Sequence, residues 1–238
     1  VRVAALLLGF GVAAVCFRLG LWQMERHGER RAWNAQVEAR LAATPVLLTS
    51  GSTGAETDSL AYRRARAAGT FAFADQTVEV NRSHQGVPGV FVMTPLRLAD
   101  GTAILVNRGW TFAPDGMTVD AGALVEPESS LVDGILLAPA GRFAVRPESL
   151  GLGYPLFPLV LRRTQAAPGM PRGLTPADLP PRDRGPHLSY AFQWFAFAVI
   201  AAVGGSILAR RAGSARRIDN TPRSPQSRST SSPGRSRP

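Results

Sequence analysis

Two long apolar runs bracket a middle stretch in which hydrophobic positions recur at short, strand-like intervals. The first run extends from Val3 to Phe17 and resumes after Arg18 as Leu19-Gly20-Leu21-Trp22; the second, from Tyr190 to Leu208, carries no charged residue. A helix of about nineteen residues covers roughly 28 Å, the hydrocarbon thickness of a bilayer. Both runs therefore predict spanning helices, over 3–23 and 188–208, with Arg18 snorkelling toward an interface. The first run continues past any small-residue cleavage site and ends in Trp22, an interfacial anchor type, which favours a span over a cleaved leader.

Residues three, four and seven apart share a helix face. On the second run His187, Tyr190, Ala191, Trp194, Ala198, Ala201 and Gly205 line up, polar and aromatic at one end and small beyond it. Such a face admits a close, flat neighbour, either another helix or a planar cofactor, and the pattern leaves both open. On the first run Ala5, Gly9, Ala13, Cys16 and Gly20 form a small-residue ridge, which predicts that the two helices pack together.

Between the runs the period changes. Trp33, Val37 and Leu41 at spacings of four predict a membrane-proximal helix over 25–43, ended by Thr44-Pro45 and a Gly/Ser/Thr-rich loop. From Tyr62 the pattern predicts strands over 62–73, 77–82, 90–98, 102–108, 131–138 and 155–163, which gives a β-rich domain over 60–164. Asp100-Gly101 between two of them predicts a hairpin with a type I′ turn. Residues 165–186, rich in proline, read as a tether, and 209–238, rich in Arg, Ser and Pro, as a disordered tail. The expected fold class is a membrane protein in which two transmembrane α-helices flank a mainly β (α+β) extracytoplasmic domain, barrel- or sandwich-like.

Charge narrows the function. The net charge of +10 is not evenly spread: residues 24–187 hold 17 Arg against 16 acids, whereas 209–238 hold 8 Arg against Asp219. The near-neutral middle offers no groove for a phosphate backbone, so nucleic acid is not an expected partner and the lipid membrane is. Arg210, Arg211, Arg216 and Arg217 place the end of the second span in the cytoplasm by the positive-inside rule, and both termini with it. The single cysteine, Cys16, rules out a disulfide framework and a Cys-x-x-Cys site, and His27, His84 and His187 show no metal-ligand spacing. No nucleophile with an ordered base, phosphate loop or acid pair is legible, so the chain is not expected to be an enzyme.

Several stretches, in order, resemble the surfeit locus protein 1 family, the assembly factors of haem-copper cytochrome c oxidase. They are Gly20-Leu-Trp-Gln-Met-Glu-Arg26, Tyr62-Arg63 with Gly69-Thr70-Phe71, and Thr94-Pro95 followed by Asp100-Gly101. Then come Ile104-Leu-Val-Asn-Arg-Gly-Trp110, Gly134 to Leu137 ahead of Arg142-Phe143, and His187-Leu-Ser-Tyr-Ala-Phe-Gln-Trp194. The resemblance covers about 20–208. Between Arg142 and Gln165 the Trp and Asp segment of many members is replaced by Gly151-Leu-Gly-Tyr-Pro-Leu-Phe-Pro158.

The resemblance implies two membrane helices with the domain between them outside a bacterial plasma membrane or, alternatively, the mitochondrial inner membrane. It implies a role in supplying haem a to oxidase subunit I, the haem a biosynthetic enzyme being a further partner, and makes His187 a candidate axial ligand of the haem iron. The alternative is a haem-independent scaffold that stabilises a subunit I intermediate. For His187 itself, iron ligation and a plain helix-end role both fit. Arg18 fits a propionate partner less well than a snorkelling charge, and Tyr190 and Trp194 suit stacking on a ligand or anchoring in the interface equally. Asn107-Arg108-Gly109-Trp110 suits a bulge that aims Arg108 at a fixed structural partner, and His84 reads as an exposed loop residue.

Overall fold

The computed structural model describes residues 2–49, 57–179 and 185–219. Two compact units divide the chain, one of Val1–Arg30 with Arg184–Pro238 and one of Arg31–Asp183.

The first unit is a helix pair. Helix α1 runs from Arg2 to Ala42 without a break and α3 from His187 to Asp219. The two expected helices over 3–23 and 25–43 are thus one, because the residues that join them, Gln23-Met24-Glu25-Arg26, are all strong helix formers. Likewise α3 continues past Leu208 through Ala209-Arg210-Arg211; the rest of the expected disordered tail, 220–238, lies outside the described residues.

Both helices are long and apolar enough to cross a membrane. Leu7, Leu8, Phe10 and Phe17 on α1 and Phe192, Val199 and Ile200 on α3 are all more than half exposed. A surface of this kind is costly in water and costless in hydrocarbon, which identifies a membrane protein. The faces that remain bury small residues. Cys16 and Gly20 on α1 and Ala191, Ala198 and Gly205 on α3 are buried, and the two backbones approach so closely that a Cβ on Gly9 would stand 2.8 Å from the Gly205 Cα. The small ridges therefore meet each other, as the spacing predicts, and along Gly9–Gly205 the flat neighbour of α3 is a helix.

The second unit is built on a seven-stranded sheet. Its strands are β1 (Val46–Leu48), β2 (Arg64–Phe71), β3 (Thr77–His84), β4 (Val87–Arg97), β5 (Ala103–Phe112), β6 (Ser129–Leu137) and β7 (Leu156–Arg163), with a single helical turn, α2 (Thr57–Leu60), before β2. The strand order is β1-β2-β6-β7-β5-β4-β3, and β2 also pairs β4 through Thr70↔Arg97 and Phe71↔Leu96. That extra pairing closes β2, β6, β7, β5 and β4 into a five-stranded barrel, which decides between barrel and sandwich. Parallel β1 and antiparallel β3 extend the ring at its margins.

The barrel interior follows from strand alternation, since every second side chain points the same way. Leu96, Ile104, Val106, Leu136, Leu159 and Leu161 are fully buried in one cluster, each worth about 1.5–3 kcal/mol of transfer free energy. On the opposite side of β4, β5 and β7, Met93, Leu105 and Val160 form a second cluster under Val145 and Leu150. The divergent segment is tied down here as well: the Tyr154 hydroxyl donates to Asp75 at 2.6 Å and the Arg97 guanidinium lies 4.8 Å over its ring.

Three local features differ from the sequence reading. The hairpin at Asp100-Gly101 forms, but its loop has three residues: Gly101 N donates to Leu98 O at 3.1 Å, Leu98 N to Thr102 O at 2.8 Å, and only Gly101 has positive φ. Asp100 instead accepts from the Thr102 N–H and hydroxyl, at 3.0 and 2.7 Å, which stabilises this type I turn with a glycine bulge. The type I′ geometry occurs at Gln85-Gly86, where φ is 51° and 81° between β3 and β4. Finally, the segment expected as a tether over 165–186 lies against β5 around Thr175, through Trp110–Thr175 hydrogen bonds of 2.7 and 2.8 Å and burial of Leu174 beside Val92.

Candidate functional site

At the end of the helix pair, α3 begins with His187, whose Nδ1 lies 2.9 Å from Oε1 of Gln23 on α1. An amide oxygen only accepts, so with the Gln23 oxygen turned to the ring Nδ1 is the donor, and in the neutral imidazole Nε2 then keeps its lone pair. Orientation of a histidine through its distal N–H is what fixes imidazoles as metal ligands elsewhere. Beside Nε2 sits Gly185, with φ +63°. A Cβ at that position would stand 2.9 Å from Nε2, so the close approach of chain and ring at this point requires glycine. The oriented ring thus fits an axial ligand for haem iron.

The other candidates are distributed around this end and do not all converge. Arg18 is exposed and points along its own helix toward Glu25, 3.8 Å away. Tyr190 is exposed, while Trp194 is half-buried and meets Phe197 edge-on at 5.9 Å. It is Phe195, not singled out from the sequence, that packs inward: its ring covers Gly20 and lies 5.4 Å from Phe17. These two rings help line an apolar cleft of about 510 Å³ with Phe10, Ala13, Ala198 and Val199, suited to a hydrocarbon group. His27, four residues on from Gln23 and hence on the same face, has an Nδ1 shielded from solvent without a hydrogen-bond partner among the described residues.

The barrel holds a second cluster, this one of charge. On β5 the register against β4 slips by one residue, Met93 facing Asn107 and Val92 facing Gly109, so Arg108 is the bulged residue. Asn107 Oδ1 accepts from Gly109 N at 3.1 Å and Gly109 takes φ +145°, which fixes the bulge. Arg108 is thereby turned into the barrel interior, fully buried. Its Nε donates to Glu126 Oε1, while Arg163 Nη1 reaches both Glu126 oxygens at 3.0 and 2.9 Å. Arg108 Nη1 also donates to Gln76 at 2.6 Å, and the guanidinium lies 5.4 and 5.1 Å over the rings of Phe71 and Phe73. Burial pushes the Arg108 pKa down and Glu126 partly restores it.

Arg108 therefore has the fixed partner that its bulge predicts. Glu126 and Arg163 were not legible: Glu126 lies in a loop without period, and Arg162-Arg163 looks like a polar strand end. The available signal was two consecutive arginines closing the apolar strand Leu156–Arg163, since one of two neighbours on a strand must face the core side. His84 is corrected too. It ends β3 rather than sitting in a loop, its ring stacks on Trp110 at 5.4 Å, and Nδ1 lies 3.2 Å from Asp178.

The residues of both clusters lie within the stretch that matches a known family. The SURF1 family model matches residues 10–199. A SURF1-like protein of Monosiga brevicollis is 28% identical over 230 residues, 85% of this chain and 86% of the relative. One of Dictyostelium discoideum is 30% identical over 111 residues, 44% of this chain and 41% of the relative. Surfeit locus protein 1 of Rattus norvegicus is 28% identical over 114 residues, 42% and 37% of the two chains.

Proposed function

The chain belongs to the SURF1 family, and from that premise we propose that it is an assembly factor for haem-copper cytochrome c oxidase that holds haem a at His187 for delivery to subunit I. The observation that carries this reading is the His187–Gln23 hydrogen bond, which orients the ring through Nδ1 and leaves the Nε2 lone pair to bind a metal. Haem a is cargo in this scheme, and a neutral imidazole binds its iron reversibly enough to release it. Gln23 orients the ring, and the Phe17–Phe195 cleft accepts apolar parts of the cargo. The barrel serves as the docking surface for subunit I or for the haem a biosynthetic enzyme. The bilayer is a bacterial plasma membrane with the barrel outside, a reading supported by the arginines that follow the second span.

The experiment is purification in detergent from a host that makes haem a, with the absorption spectrum recorded. A Soret band is expected for the wild type and a band at least fivefold weaker for His187→Ala. Haem-free protein that still co-purifies with subunit I, at equal yield in His187→Ala, would overturn ligation and leave the haem-independent scaffold.

A further inference from the structure

Strand β7 ends with two arginines, and alternation sends them to opposite sides of the barrel wall. Arg163 enters the interior and meets Glu126. Arg162 leaves on the outer face, level with Asn107 on the parallel strand β5. There it borders a cavity of about 190 Å³ that Arg82, Glu79, Asn107, Met93 and Val160 also line. The ring of Phe91 supports both guanidinium groups, at 5.5 Å from Arg162 and 6.0 Å from Arg82.

The polar groups are unevenly matched. Glu79 is fully engaged, one oxygen pairing with Arg82 and the other accepting from Val145 N at 3.0 Å. Arg162 has no hydrogen bond or ion pair among the described residues, and the Nε atoms of both Arg162 and Arg82 are shielded from solvent without a partner. Burial pushes the Arg162 pKa down, with Glu79 the main opposing influence. A guanidinium has five donors and no acceptor, and leaving shielded donors unmade is expensive. An occupant of the cavity with accepting oxygens would meet the guanidinium donors that remain.

The chemistry of that occupant follows from charge and size. Among the residues that line the cavity, two guanidinium groups against the Glu79 carboxylate leave a single positive charge, which a monoanion neutralises and a dianionic phosphate would overshoot. A volume of about 190 Å³ is roughly that of six waters at ~30 Å³ each, and Met93 and Val160 make one wall apolar. We propose that this cavity binds a monocarboxylate on a short aliphatic stem, its oxygens taking the open N–H groups of Arg162 and Arg82 and its stem lying on Met93 and Val160. The carboxylate belongs either to a small free acid or to an acidic side chain of a bound polypeptide.

The test is saturation-transfer NMR on the full chain in detergent with butyrate and its neutral isostere butyramide. Butyrate is expected to receive saturation at least tenfold more strongly than butyramide and to resist displacement by equimolar inorganic phosphate. Arg162→Gln should abolish the effect, and Arg66→Gln, at an exposed pair with Asp133, should leave it intact. Should Arg162→Gln fail to fold, Asn107→Asp keeps the oxygen that caps Gly109 and places a second carboxylate in the cavity, with the same expected loss. A tripeptide centred on glutamate that displaces butyrate assigns the site to polypeptide carboxylates, and no displacement assigns it to a free acid. Equal signals from butyrate and butyramide, or a butyrate signal that persists in Asn107→Asp, would overturn the proposal.

Discussion

Replacing Glu126 by glutamine would test the charge cluster inside the barrel. The side chains of Arg108, Arg163 and Glu126 are 0%, 2% and 1% exposed. The carboxylate is the only negative charge contacting either guanidinium among the described residues. Glutamine keeps the shape and one accepting oxygen but leaves two like charges buried and uncompensated, which costs about 3–5 kcal/mol. For a unit of this size that is a fall in Tm of roughly 6–20 °C. Arg163→Met should cost less, about 1–3 kcal/mol, because it retains the Arg108–Glu126 pair and removes the charge that repels Arg108. Unfolding can be followed by near-UV circular dichroism in a Trp22→Phe, Trp194→Phe background, which leaves Trp33 and Trp110 as reporters within the barrel unit. If Glu126→Gln melts within 2 °C of the parent, or above Arg163→Met, the carboxylate is not the element that makes burial of two arginines tolerable.

Two further outcomes are expected. Gly205→Ile should separate the helix pair, since even a Cβ there would lie 2.9 Å from the Gly9 Cα; cysteines introduced at Ala5 and Ala209 should then lose disulfide cross-linking in membranes, and retained cross-linking would contradict the tight crossing. The Asp115 carboxyl accepts from the backbone of Met117 and Thr118, at 2.8 Å each, and is held down from 3.8 to about 2 by hydrogen bonds from Thr118 first. A depressed carboxyl stabilises above its unfolded value and stops doing so as pH falls through the folded one, so this turn should loosen between pH 4 and 2; a carboxyl carbon resonance titrating at the ordinary value would refute the assignment.

Elements with a strong period were legible. The observed strands fall on the expected ones to within a few residues, because most carry β-branched and aliphatic side chains between Gly, Pro or Asp while β2 alternates polar and small buried positions, and the ridge of Ala5, Gly9, Ala13, Cys16 and Gly20 foretold the helix pairing. Closure of the barrel was not legible, since it depends on two residue pairs between β2 and β4 that no local pattern marks. Strand β1 was missed because three residues carry no period. At the candidate site His187 could be named, but its meaning rests on Gln23, which lies 164 positions away. Glu126 and Arg162 likewise acquire significance only through partners distant in sequence.

The order of strands in the barrel constrains how the chain becomes folded during synthesis. Strands β2 to β5 leave the ribosome first, yet β2 and β5 are not neighbours: β6 and β7 must come between them. The ring therefore cannot close until Arg163 has emerged, and non-local pairing of this sort is slow. Until then Arg108 remains hydrated. Dehydration of three charges is deferred to the last insertion, when Glu126 and Arg163 reach it together, so a nascent barrel stalled before β7 carries an open wall of apolar strands and is the species most exposed to misassembly.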